Sequence, residues 1–251
     1  MPNLSAISNN TLFGKLLRAP LRLIPRSAVV PILQGPLRGK RWIVGSGHHG
    51  CWLGSYEHDK QEAFRNAIKK GDVVYDVGAN VGFYTLLASV LTGEAGYVYA
   101  FEPLPGNLRD LRRHLELNRV SNCAVIEAAV SIADGEALFD PSGDRYTAHL
   151  SAGGTSKVRT VALDTLVSRK EIRPPALMKI DIEGEELRCL TGCRNTLQMF
   201  RPAIFLATHG REIHEACVQF LSELHYKIVP VGEGPLERMD ELLAHREDAP
   251  A

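Results

Sequence analysis

Asp76, Gly78, Asn80 and Gly82 stand together in the stretch VVYDVGANVG, an acid followed by a turn built on two glycines four residues apart. Val73, Val74 and Tyr75 favour a strand ahead of that turn, and the apolar run from Phe83 favours a helix after it. Strand, tight turn and helix start in that order open a crevice for a nucleotide-like ligand at the carboxyl edge of a parallel sheet. Charge then selects the ligand. A pyrophosphate asks for a G-x-G-x-x-G turn whose backbone N–H groups and helix dipole face an anion. Here the turn reads G-x-N-x-G with Asp76 beside it, which opposes a diphosphate and attracts a ligand carrying an ammonium and a sulfonium. S-adenosylmethionine carries both, and the missing third glycine counts against a nicotinamide dinucleotide.

Further acids recur where strands end. Glu102-Pro103 closes the run Tyr97 to Phe101, twenty residues past Gly82, the spacing at which a βαβ unit sets an acid on a ribose hydroxyl pair. A charged hydrogen bond of that kind contributes about 1.5–3 kcal/mol. Glu127 ends the next short run and is a candidate for the adenine edge. Asp181 and Glu183 flank Ile182 at the top of an apolar strand, so both point to one face and need a cationic partner, from the cofactor or from a metal. A divalent ion bound by Asp181 and Glu183 is the weaker alternative, and no metal is predicted. His209 follows the strand Ala203 to Thr208, and its near-neutral titration suits a general base; Asp181 is the alternative base.

The elements that must carry these residues alternate strand and helix through a domain expected over residues 59–251, the pattern of an α/β fold with a mostly parallel, doubly wound sheet. Helices are predicted from Asp59 to Lys70, Val81 to Leu91, Leu108 to Asn118 and Glu212 to Leu224. Six strands serve the sheet, the last from Tyr226 to Val231, and the tail with Asp240 and Glu241 shows no seventh. Residues 1–58 form an extension: a basic arm, a hairpin from Val29 to Val44, and a loop from Gly45 to Glu57 that covers the cofactor with Tyr56 and Glu57. The long polar loop PSGDRYTAHLSAGGTS offers Asp144, Arg145, Tyr146 and His149 to an acceptor.

Lys+Arg and Asp+Glu each total 29 in 251 residues, so no global charge holds nucleic acid by counterion release. The exception is local. Lys15, Arg18, Arg22, Arg26, Arg38, Lys40 and Arg41 precede the first acid, Glu57, and interleave with leucines in a way that suits an acidic membrane surface, although Pro20 and Pro25 interrupt a helix there. Docking onto the domain is the simpler expectation. Five scattered cysteines suit reduced thiols, with no signal-peptide core and no membrane-length apolar run, which makes the cytoplasm the default.

Three stretches together, DVGANVGFYTLLA, YAFEPLPGNLRDLRRHLELN and MKIDIEGEELRCLTG, resemble the FkbM family of S-adenosylmethionine-dependent methyltransferases over roughly Trp52 to Val231. The resemblance implies the Rossmann-like class I methyltransferase fold. It also implies Asp76, Gly78, Asn80 and Gly82 along the methionine part of the cofactor, Glu102 on its ribose, and O-methylation of a hydroxyl on a sugar, glycoconjugate or secondary metabolite. The chain departs from the family in one place: PAIFLATHG puts Ala207 where the family often has Glu, two residues before the histidine. Two other readings stay open, a non-catalytic S-adenosylmethionine-binding module and a nucleic-acid methyltransferase that uses the basic arm. The expected acceptor is a small molecule or carbohydrate, not nucleic acid.

Overall fold

The computed structural model describes residues 21, 23–140, 149–150 and 156–246. Its strands are β1 (Val29–Pro31), β2 (Arg41–Ile43), β3 (Val73–Val77), β4 (Tyr97–Phe101), β5 (Cys123–Ile126), β6 (Ala129–Val130), β7 (Gly135–Asp140), β8 (His149–Leu150), β9 (Ser156–Val161), β10 (Leu177–Ile180), β11 (Ala203–Ala207), β12 (Tyr226–Pro230) and β13 (Glu241–Arg246). The helices are α1 (His49–Leu53), α2 (His58–Ala67), α3 (Phe83–Thr92), α4 (Pro105–Leu117), α5 (Leu163–Ser168), α6 (Glu186–Gly192), α7 (Arg194–Phe200) and α8 (Arg211–Glu223).

Seven strands make the central sheet in the order β12-β13-β11-β10-β3-β4-β5. The pairs from β11 through β5 are parallel, whereas β13 runs antiparallel to both β11 and β12. The class I, doubly wound expectation is met. A seventh strand was not expected from DELLAHRED, because its charged flanks mask the short alternation. That alternation is real in the fold: Leu242 and Ala244 are buried while Leu243 and His245 are only partly covered. A second sheet, β6-β9-β7-β8, projects from the chain between β5 and β10.

Both faces of the central sheet are covered, so its strands read as near-continuous apolar runs and the side chains sort by parity. Tyr75, Val77, Met178, Ile180, Ile204 and Leu206 enter one core with Leu190 of α6 and Phe220 of α8. Val74, Leu177 and Phe205 enter the other with Phe64 of α2 and Leu86 of α3. The odd members on that second face are Asp76 and Lys179. Strand register sets them side by side.

The hairpin β1–β2 packs into the second core through Trp42, which is fully buried and stacks on His114 of α4 at 3.7 Å. Ile43 N–H donates to His114 Nε2 (3.1 Å), and Nδ1 lies 2.7 Å from the Val81 carbonyl within the glycine turn. Burial holds this histidine down at about 4, so it stays neutral and bridges the hairpin to the turn. Among the described residues no helix is long and apolar enough to cross a membrane. Lys15, Arg18, Arg22, Asp144, Arg145 and Tyr146 lie outside the described residues, as does the side chain of His149.

Candidate active site

A cavity of about 330 Å³ opens at the carboxyl ends of β3, β4, β10 and β11, within the size range of small-molecule sites. Its wall carries six carboxylates, from Glu57, Glu102, Asp181, Glu183, Glu185 and Glu241, against a single lysine, Lys179. Gly78 forms part of the wall at φ +78, and a Cβ there would overlap the carbonyl oxygen of Asp181. Only glycine lets β3 and β10 end this close together.

Beneath the wall, Asp76 is fully buried. Its Oδ2 accepts from Thr85 Oγ1 (2.6 Å) and its Oδ1 lies 3.4 Å from Lys179 Nζ. Lys179 also donates to the Gly78 carbonyl (3.1 Å) and lies 3.5 Å from Asp181 Oδ2. Burial pulls the lysine pKa down, but Asp181 and Asp76 together more than offset it and hold the ammonium charged. Glu102, nearly fully buried, accepts from the N–H of Asn80 (2.8 Å) at Oε2, and from Leu104 N–H (2.9 Å) and Asn107 Nδ2 (3.3 Å) at Oε1. Its pKa is raised by burial and pulled back by those donors.

The opposite rim comes from the segment ahead of the sheet, where α1 interrupts the expected loop. Tyr56 packs edge-on to Phe83 (5.2 Å) and near-parallel to His48 (6.1 Å). Glu57, at φ 44, accepts from Tyr84 OH (2.7 Å) and faces Lys60 Nζ at 3.5 Å. Burial, then Glu57, push both tyrosine hydroxyls far above the ordinary phenol range. Lys60 is itself buried and reaches across to Glu241 Oε1 at 2.5 Å and Asp181 Oδ2 at 3.8 Å. Glu241 is the register partner of Ala207 on the adjacent strand, so the two side chains share one face. Glu241 thus brings a carboxylate from β13 to the cavity beside Ala207.

On the remaining side His209 donates from Nδ1 to Glu186 Oε1 (2.8 Å), while Nε2 lies 3.5 Å from Glu183 Oε2 and 3.8 Å from Asp181 Oδ1. Glu186 has no solvent exposure, and its Oε1 also takes the N–H groups of Ile182 (3.3 Å) and Gly184 (3.0 Å). The hydrogen bond to Glu186, against the pull of burial and with the charges of Glu186, Glu183 and Asp181, raises His209 to about 9. Asp181 is lifted by burial but held below its ordinary range by Lys179, Lys60 and His209.

A family model described as the methyltransferase FkbM domain matches residues 76–228, the span that contains this constellation apart from the rim and Glu241. The chain belongs to the FkbM methyltransferase family. It is 30% identical over 145 residues to hexuronic acid methyltransferase AglP of Haloferax volcanii, covering 57% of this chain and 58% of that protein. It is 30% identical over 161 residues to the 31-O-demethyl-FK506 methyltransferase FkbM of Streptomyces tacrolimicus, covering 50% of this chain and 60% of that one. The chain therefore spans less than two thirds of the length of these relatives. A crystal structure of a methyltransferase FkbM from Methylobacillus flagellatus superposes with TM-score 0.52 at 20% identity, over 69% of this chain and 43% of that one, and shares the fold.

In this FkbM-family chain Tyr56, Glu57, Gly78, Asn80, Glu102, Pro103, Asp181 and His209 all reach the cavity wall. Three expectations need correction. Asp76 lies under the wall rather than on it, with its charge matched by Lys179, so the acidity of the cavity comes from the other carboxylates. Gly82 caps α3 behind the wall at φ +89, against Leu111. Glu127 is turned outward and pairs with Arg112 over α4, because the chain bends after β5 and presents Ala128 to Val130 to the cavity instead. As for the base, both candidates, His209 and Asp181, line the cavity with charged partners, His209 beside Glu186 and Glu183 and Asp181 beside Lys179 and Lys60. Lys60, Lys179, Glu186 and Glu241 escaped the sequence reading. For Lys179 a signal existed, a lysine inside an otherwise apolar strand; for Glu241 none did, since its place depends on β13.

Proposed function

We propose that this domain transfers a methyl group from S-adenosylmethionine to a hydroxyl oxygen of a sugar or small metabolite. The observation that carries this reading is the cavity itself, a glycine-turn crevice at the switch edge of a parallel sheet whose wall holds six carboxylates, more than Lys179, His209 and the adjacent Lys60 together can neutralise. Such a wall suits a ligand bearing an ammonium and a sulfonium and disfavours a diphosphate. The methyl transfer named for the two curated relatives, one acting on a hexuronic acid and the other on a demethylated FK506 oxygen, supports the same reading.

Bound in this cavity, S-adenosylmethionine supplies an electrophilic methyl group. The residues supply the rest. Glu102 has one acceptor position left on Oε2 after taking the Asn80 N–H, and that position receives a ribose hydroxyl. Tyr56 and Phe83 give an apolar, water-excluding flank, and Glu57, Asp181 and Glu241 hold the positive ligand. Orientation of this kind can lower a transfer barrier by roughly 7–11 kcal/mol. His209 bridges Glu186, Glu183 and Asp181 and so fixes the carboxylates on that wall.

Calorimetric titration with S-adenosylmethionine and with NAD tests the cofactor. Incubation with S-adenosylmethionine and a panel of hexuronate, hexose and macrolide alcohols, read by mass for one added methylene, tests the transfer. Binding of NAD in preference to S-adenosylmethionine would overturn the reading.

A further inference from the structure

Asp181, Glu183 and His209 arrive from the ends of two neighbouring strands, and each offers one ligand atom within 4.8 Å of the others. The gaps of 3.5 and 3.8 Å from His209 Nε2 to the two carboxylates exceed the usual N–H···O range of roughly 2.7–3.2 Å. Donor atoms sharing one ion at roughly 2.1 Å bonds sit roughly 3–4 Å apart, which matches this spacing. A second observation points the same way. His209 is locked by its Nδ1 contact to Glu186, which is completely buried and fixed by two backbone N–H groups, while Glu186 Oε2 is buried without a hydrogen-bond partner. A metal-bound histidine is held through its other ring nitrogen by a carboxylate in just this manner. Asp181 divides its oxygens: Oδ2 faces Lys60 and Lys179, which leaves Oδ1 toward His209.

We propose that Asp181 Oδ1, the Glu183 carboxylate and His209 Nε2 bind a divalent cation with mixed oxygen and imidazole preference, Mn²⁺ foremost. On the cavity wall such an ion polarises an acceptor oxygen and lowers the cost of its deprotonation. The site goes beyond the methyl-transfer reading and stands without it.

The test uses the full chain, stripped with chelator and free of S-adenosylmethionine, titrated with Mn²⁺ while the paramagnetic resonance signal of the free ion is followed. One Mn²⁺ per chain is expected. Glu183→Gln and His209→Gln should each weaken binding at least tenfold, and Glu186→Gln by about tenfold through loss of the histidine lock. Circular dichroism certifies the fold of each variant, and either ligand variant decides if the other does not fold. Failure of the folded wild type to retain Mn²⁺ at millimolar concentration, or retention by Glu183→Gln and His209→Gln equal to wild type, overturns the site. S-adenosylmethionine binding on the same samples separates that failure from failure of the methyl-transfer reading.

Discussion

Nδ1 of His209 stands 2.8 Å from Oε1 of Glu186, a carboxylate with no solvent exposure. That contact is the largest reason the imidazole is lifted from 6.5 to about 9. A proton held more tightly in the folded chain stabilises it fully below the unfolded value of 6.5, and the stabilisation is lost as pH rises through about 9. In chelator-containing buffer, the melting-temperature gap between wild type and His209→Gln is therefore expected to narrow steadily across that window. A gap that widens with pH would contradict the protonated assignment.

Asp76 and Lys179 are neighbours by strand register and both are buried. Replacing Lys179 by Met strands the Asp76 charge with only the Thr85 hydroxyl. Removing one partner of a buried ion pair costs about 3–5 kcal/mol, and urea unfolding of Lys179→Met should show a loss of that order. Adding Asp76→Asn should recover part of it. Asp76→Ala is expected to abolish S-adenosylmethionine binding by releasing Lys179 and Asp181, not through a lost contact to the ligand.

Lys60 and Glu241 lie 181 residues apart in the chain and 2.5 Å apart in space, tying α2 to β13 across the cavity rim. A double-mutant cycle of Lys60→Met and Glu241→Gln should give a coupling of about 0.5–3 kcal/mol in S-adenosylmethionine affinity. Strictly additive effects would show that the rim acts as two separate halves.

Gly78 and Gly82 both hold positive φ, +78 and +89, and an alanine in that region costs roughly 1–2 kcal/mol by backbone strain alone. Their neighbours differ. A Cβ at 78 meets the Asp181 backbone, whereas one at 82 meets the movable end of Leu111. Gly78→Ala is expected to abolish cofactor binding, and Gly82→Ala to fold with a lowered melting temperature and measurable affinity. Equal loss in both, measured by thermal melting and calorimetry, would remove the steric distinction.

Strand β3, its glycine turn and Glu102 were legible in the sequence because each depends on local chemistry: β-favouring residues, positive-φ glycines, and a spacing set by one βαβ unit. Asp181 and Glu183 both reach the cavity, but not by strand alternation, since β10 ends at Ile180 and Glu183 turns at φ 52. What those residues do was decided elsewhere. Asp76 looked like a ligand for a cation from outside, yet register gives it Lys179 as an internal counterion. His209 looked like a base, yet its Nδ1 is engaged by Glu186, a buried acid at the start of α6. Glu127 looked like an adenine partner, yet the bend after β5 turns it to Arg112. Glu241 looked like part of a tail, yet an antiparallel strand inserted between β11 and β12 carries it to the rim opposite Ala207. The fold class and the cofactor crevice were set by the chain alone, since these follow from propensity and short-range spacing. Charge state and partnership required the tertiary structure, because the energy of a buried ion depends on which distant side chain lies within a few ångströms of it.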